Sequence, residues 1–125
     1  MWTYGQKSGI LIFENQEVAF GYSGNGFYKN DPTSQALCNK GPIPRGMYQM
    51  MPPEDTDHHG PYVIRLAPFP ENEMHGRAGF LIHGDSKTNP GTASNGCVIL
   101  PILTRMEMWN SGDHILEVLA DAAVA

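Results

Sequence analysis

The chain has little cysteine: Cys38 and Cys97 are the only two in 125 residues. Two are too few for a disulfide scaffold or a cysteine-rich zinc site. Their spacing leaves the bridged and the free states both open. Long apolar runs are also missing. The longest near the start, Ile10-Leu11-Ile12-Phe13, is too short for a membrane span or for the core of a signal peptide. A soluble chain without a Sec-type address is expected, working in the cytoplasm or exported by another route. Basic residues are sparse as well. The eight Lys and Arg are scattered and the net charge is −5, so no basic stripe offers itself to nucleic acid. Repeats, low-complexity tracts and linkers are absent, and residues 1–125 read as one domain.

What is present is glycine and proline, 14 and 10 residues, beside 41% hydrophobic and 17% charged residues. That is a globular composition with frequent turns, which favours a β-rich fold over a helical bundle. Ile10 to Phe13 and Glu17 to Tyr22 read as strands around a Glu14-Asn15-Gln16 turn. Further strand candidates are Gly46 to Met51, Tyr62 to Leu66, Ala78 to His83, Cys97 to Leu100 and His114 to Leu119. Ser23 to Pro44, Pro52 to Pro61 and Gly84 to Gly96 read as loops, the first long enough to be functional. One helix is expected from Pro101, a suitable first-turn residue, with Ile102, Met106 and Trp109 on its apolar side and a stop at Asn110-Ser111-Gly112. Trp2 and Trp109 are assigned to the core, and the alanine-rich tail is expected to fray. The fold class is mainly β: a twisted, mostly antiparallel sheet or sandwich with one or two short helices.

His83 and Cys97 each fall where a strand meets a loop, with thirteen residues between them. A loop of that length can turn back and set imidazole beside thiol. A free thiol titrates near about 8.5, so it needs a base at neutral pH. His83 would take the proton and Cys97 would attack a carbonyl to give a thioester. The other imidazole N–H then needs an acceptor, for which the Gly84 carbonyl and the Asp85 carboxylate both qualify. Gly96 permits a sharp turn that presents the Gly96 and Cys97 N–H groups as an oxyanion hole. The residues alone also allow a buried structural cysteine and a hydrogen-bonded core histidine. Cys38, among polar loop residues, is read as incidental.

Three segments carry a resemblance. His83-Gly84, the spacer and Ser94-Asn95-Gly96-Cys97 before an apolar strand resemble the signature of the L,D-transpeptidase catalytic-domain family. Gly41-Pro42-Ile43-Pro44-Arg45-Gly46-Met47-Tyr48 is similar to the segment preceding that site. Gly76 to Ser86 and Pro90 to Cys97 look most like the branch of L,D-transpeptidase-like effectors delivered by bacterial type VI secretion. The resemblance runs from Trp2 to about Val118. It implies an L,D-transpeptidase-like β-sandwich, Cys97 as nucleophile, His83 as base, and backbone help from Gly84 and the Asn95-Gly96-Cys97 turn. It further implies peptidoglycan stem peptides as substrate and no cofactor or metal. The expected partners are secretion machinery and a periplasmic immunity protein, and the expected place of action is the periplasm of a target cell. Two departures bear on specificity. Asn95 stands where many members have His or Arg, and Ile99 where many have Arg, so Arg45, Arg65 or Arg77 is expected to substitute.

The sequence also holds two rival constellations. His58-His59 with Asp55, Asp57, His75, His83 and Asp85 suggests a zinc peptidase, although no HExxH or cysteine-pair pattern is present. Tyr22, Phe27, Tyr28 and Tyr48 suggest a groove of a non-catalytic wall-binding module.

Overall fold

A computed structural model describes residues 1–125. Ten strands form one sheet: β1 Trp2–Gly5, β2 Ile10–Phe13, β3 Gln16–Phe20, β4 Tyr22–Ser23, β5 Gly46–Met50, β6 Glu54–Thr56, β7 Gly60–Pro68, β8 Leu81–His83, β9 Val98–Ile99 and β10 Ile115–Leu119. The order across it is β3-β2-β1-β10-β5-β7-β8-β9-β4, with β6 paired to β7. All pairings are antiparallel except β1 with β10 and β8 with β9. One α-helix, α1 (Ile102–Asn110), and two short 3₁₀ turns complete the chain. The mainly β expectation with one short helix holds.

The sheet curls nearly to closure, and the seam is legible residue by residue. The run expected as one strand, Glu17 to Tyr22, is cut at Gly21. Its first half, β3, pairs with β2, and its second half, β4, pairs with β9 at the far end of the strand order. One short stretch therefore touches both edges of the sheet. Gly21 donates its N–H to the Gly9 carbonyl at 2.8 Å. A Cβ on Gly21 would overlap the Ile99 carbonyl oxygen, and one on Gly9 would overlap the Gly21 carbonyl oxygen. Only glycine lets these backbones approach so closely.

The interior is filled by alternate residues of the strands, as the twofold side-chain period requires. Tyr4, Leu11, Tyr48, Ile64, Ile82, Val98, Leu100 and Leu116 are among the fully enclosed members. Trp2 joins them and stacks on Phe13 with ring centres 4.1 Å apart. At the first hairpin Phe13 faces Gln16 across Glu14 and Asn15, which have φ of 51° and 61°, the left-handed pair of a two-residue hairpin turn.

Five expectations need correction. Trp2–Gly5 is a strand that the sequence reading left unassigned, and Glu54–Thr56 is a strand inside the Pro52 to Pro61 loop. Helix α1 turns a different side inward: Ile102 and Met106 are 40% and 37% exposed, while Thr104, Arg105 and Met108 are buried. The reason is polar, since the Arg105 guanidinium is drawn to carbonyls beneath the helix. Trp109 is only half-buried, packed against the core's edge and stacked on His114 at 3.6 Å. The tail is tied down as well: Ala122 is buried, and the Asp121 carboxylate accepts the backbone N–H groups of Ala122 and Ser8.

The seam generates a stability prediction. Gly21→Ala should cost about 3 kcal/mol or more, because backbone rather than a flexible side chain must move. Gly112→Ala, at a positive φ but in open space, should cost about 1 kcal/mol. Urea unfolding of both variants measures the contrast, and equal losses would show that the seam is not tightly closed.

Candidate active site

The parallel pair β8–β9 builds the site. Ile82 lies beside Val98 and His83 beside Ile99. Ile82, Val98 and Leu100 point into the core, so by alternation His83 and Cys97 point to the opposite, outer face. In that register they are diagonal neighbours, a separation that side chains bridge. Both line one open cavity of about 460 Å³ together with His58, His59, Gly84, Asp85, Ser86, Ala93 and Asn95. Cys97 is partly exposed and His83 is 3% exposed. No hydrogen bond joins the thiol to the ring. The His83 Nδ1 lies 2.9 Å from the Gly84 carbonyl oxygen. An Nδ1–H donated to that carbonyl leaves Nε2 as the basic nitrogen.

The turn before Cys97 is fixed by buried polar groups. Ser94 Oγ donates to the Cys97 carbonyl at 2.6 Å and accepts the N–H groups of Gly96 at 3.0 Å and Gly24 at 2.9 Å. Ser23 Oγ donates to the Gly96 carbonyl at 2.7 Å. Arg77 locks the outside of this turn. Its guanidinium donates to the carbonyls of Gln35, Pro42, Gly41 and Asn95 at 2.6–3.3 Å. It also lies 5.1 Å from the centre of the Phe80 ring. No carboxylate neutralises it. Three separate loops thus meet on one buried cation beside Cys97.

The residues singled out in the sequence divide accordingly. Cys97, His83, Gly84, Asp85 and Asn95 come together around the cavity. The Gly96 N–H is taken up by Ser94 and is not free for an oxyanion, whereas the Cys97 N–H has no protein acceptor. Asp85 does not touch the imidazole. Its carboxylate accepts from Tyr22 Oη at 2.6 Å and from the N–H groups of Ser86 and Gly91, so it shapes the loop after His83. Arg45 lies away from the cavity, bonded to Gln6. Arg65 pairs with Glu54 at 3.0 Å on the surface. Tyr48 is core, and Phe27 is 92% exposed. Cys38, read as incidental, lines a smaller cavity of about 110 Å³ on the other side of Cys97, with Arg77 and Phe80.

Two further residues border the site: His59, which the sequence placed only in a zinc constellation, and Arg105, which it left unassigned. His59, at the β6–β7 hairpin, tilts over the His83 ring with centres 4.5 Å apart. Arg105 sits under the same loop, with its Nη2 against Gly84. Neither carries a local motif; long-range pairing brings both in. His58, His59 and His83 form a row of rings, yet no three His, Cys, Asp or Glu side chains converge as a metal-ligating group.

A family model described as the Tlde1 domain matches residues 17–120. The chain belongs to the Tlde1 domain family. This is a family of type VI secretion effectors. No curated protein matches the chain. The matched span of the Tlde1 domain takes in His83, Cys97, Arg77, Arg105 and the whole cavity between them.

Electrostatics in the Tlde1 domain favour neutral forms at the centre. Burial pushes the Cys97 thiol up, against a pull from the Leu81 backbone and the Arg77 charge. Burial holds His83 below the ordinary imidazole value, and His59 and Arg105 add to that, opposed by the Gly84 hydrogen bond and Asp85. His59 is lowered too, first by burial and then by its neighbours His58 and Arg65. Because both imidazoles titrate below 6.5 when folded, the unfolded chain binds protons there that the folded chain refuses. Stability is therefore full above that pH and falls as pH drops toward the folded-state values. The melting temperature should decline as the pH falls below the ordinary imidazole value of about 6.5, and His59→Gln should flatten part of the decline. A parallel decline in both proteins would remove His59 from this linkage.

Proposed function

We propose that this Tlde1 domain is a cysteine acyltransferase of the L,D-transpeptidase or L,D-carboxypeptidase kind, acting on peptidoglycan stem peptides. The observation that carries the reading is the shared outer face of β8–β9. It presents a partly exposed thiol and an imidazole with a defined tautomer to one polar cavity.

In this reading His83 Nε2 takes the Cys97 proton as the sulfur attacks the carbonyl next to a terminal D-residue. A carbon–sulfur bond forms, and the carbonyl electrons move onto oxygen. The Cys97 N–H and the Asn95 carboxamide stabilise that oxyanion. The latter's Oδ1 is already occupied by Asn25 at 2.8 Å, so its NH₂ is free to donate. Collapse expels D-alanine, which receives the proton back from His83, and leaves a thioester on Cys97. Water then gives a trimmed stem, and an amine gives exchange or a cross-link. Arg77 serves as scaffold and as a positive charge near the developing thiolate.

Membership of a type VI effector family supports action in the periplasm of a neighbouring cell, with the producer protected by an immunity protein there. No helix is long and apolar enough to cross a membrane.

Purified protein incubated with peptidoglycan fragments should change stem masses, and Cys97→Ala should retain less than about a thousandth of the rate while melting normally. His83→Ala should slow alkylation of Cys97 by iodoacetamide near neutral pH by about 10-fold or more. EDTA should leave the rate unchanged; loss with EDTA and survival of Cys97→Ala would favour a metal peptidase instead. A fused Sec signal should make expression toxic in a Cys97-dependent way. Equal growth with and without the signal, the exported protein being folded, would refute periplasmic action.

A further inference from the structure

A second cavity of about 430 Å³ adjoins the catalytic one and shares His59, Gly84 and Asp85 with it. Its floor is Arg105, 4% exposed. The guanidinium donates Nε–H to the Leu100 carbonyl at 3.1 Å and Nη1–H to the carbonyls of Pro61 and Tyr62, each at 2.8 Å. Nη2 has no protein acceptor and packs against Gly84, whose missing Cβ would come within 3.0 Å of it. No carboxylate pairs with this buried charge. A cation so placed is stable only if its remaining donors find an acceptor, and an anionic ligand satisfies both needs.

The rest of the cavity has the same polarity. It opens on the start of α1, where Pro101 provides no side-chain cap and the first turn holds no acidic residue. The backbone N–H groups of that turn and the helix dipole favour negative charge. Lys87 stands at the rim without an ion pair. Asp85 is the one acid there, and its carboxylate is already filled by Tyr22, Ser86 and Gly91.

We propose that Arg105, the first turn of α1 and Lys87 form a carboxylate-binding subsite that holds a free carboxylate of the peptide whose carbonyl lies at Cys97. This rests on the acyl-transfer reading above and adds what selects the substrate. The geometry gives Arg105 the part that the sequence suggested for Arg45, Arg65 or Arg77, all of which are committed elsewhere.

The test uses the full chain as Cys97→Ala and, as probes, a synthetic tetrapeptide stem with its terminal and side-chain carboxylates free and the two singly amidated forms. Calorimetry should show that one amidation weakens binding by about 10- to 100-fold, the loss expected for a charge-assisted hydrogen bond, and which one identifies the carboxylate. The same preference should shrink in Lys87→Gln and vanish in Ile102→Glu, which sets an internal carboxylate on the first turn. Both are exposed positions where folding is not at stake. Arg105→Gln should also erase it, with folding checked by melting. Equal affinity for all three peptides would overturn the subsite. If the wild-type protein still acylates Cys97 with each of them, the acyl-transfer reading survives that loss. If none binds or acylates, both fall.

Discussion

The parallel pairing of β8 with β9 is the constraint on which the site depends. Two parallel neighbours cannot be joined by a tight hairpin; the chain must leave one strand and return to the start of the next. Here the thirteen residues between His83 and Cys97 make that return without a helix. They lie over the outer face, where they are held by side chains rather than by a ladder. Tyr22 and Asp85 fasten the outgoing limb, and Ser94 and Ser23 fasten the incoming one. The same pairing fixes side-chain parity. Val98 must enter the core beside Ile82, so Cys97 must face outward on the side of His83. A slip of one residue would bury the thiol and expose the core.

Closure of the sheet serves this arrangement. Because β4 caps β9 through Tyr22–Ile99 and Ser23–Val98, the short strand that follows the cysteine is paired on both sides. The Gly9–Gly21 contact that permits closure lies far from Cys97 in sequence, yet it bears directly on how rigidly Cys97 is held. Ser23 shows the connection, reaching from β4 to the Gly96 carbonyl and accepting the Ile43 N–H. Seam, loop and the Cys97 turn form one hydrogen-bonded unit.

Much of this was legible in the sequence, and what was not has a physical cause. Local signals sufficed for the β-rich class, the Glu14–Asn15 turn, the stop of α1 at Gly112, and the placing of His83 and Cys97 at strand ends. Strand Trp2–Gly5 was missed because it is a short edge of the chain whose identity comes from pairing with β10. The helix face was misread because apolar spacing was allowed to outweigh Arg105, whose buried guanidinium could be anticipated only from carbonyls 43 and 44 residues away. The sequence grouped Asn95, Gly96 and Cys97 as one turn, with Ser94 beside it. Their division of labour, with the Gly96 N–H consumed and the Cys97 N–H spare, is a matter of hydrogen-bond geometry that a motif does not encode. His58 and His59 suggested a zinc constellation, and it is the β6–β7 hairpin that sets His59 over His83.

The two buried arginines explain how a chain of net charge −5 can present a positive centre. Arg77 flanks Cys97 and Arg105 flanks His83, and each is solvated by main-chain carbonyls instead of carboxylates. Carbonyl dipoles satisfy the N–H groups but leave the net charge in place, so its field reaches the cavity. Its effects on the pair run in opposite directions: Arg77 favours thiolate at Cys97, while Arg105 disfavours imidazolium at His83. Burial, the larger influence on both, favours neutral thiol and neutral imidazole. Burial thus favours an uncharged resting pair, and in the acyl-transfer reading the proton leaves sulfur as the sulfur attacks. A preformed ion pair would have to lose its stabilisation at that moment. A neutral pair gains it, because the charge then develops on an oxygen facing the free Cys97 N–H and on an imidazolium whose Nδ1–H donates to the Gly84 carbonyl.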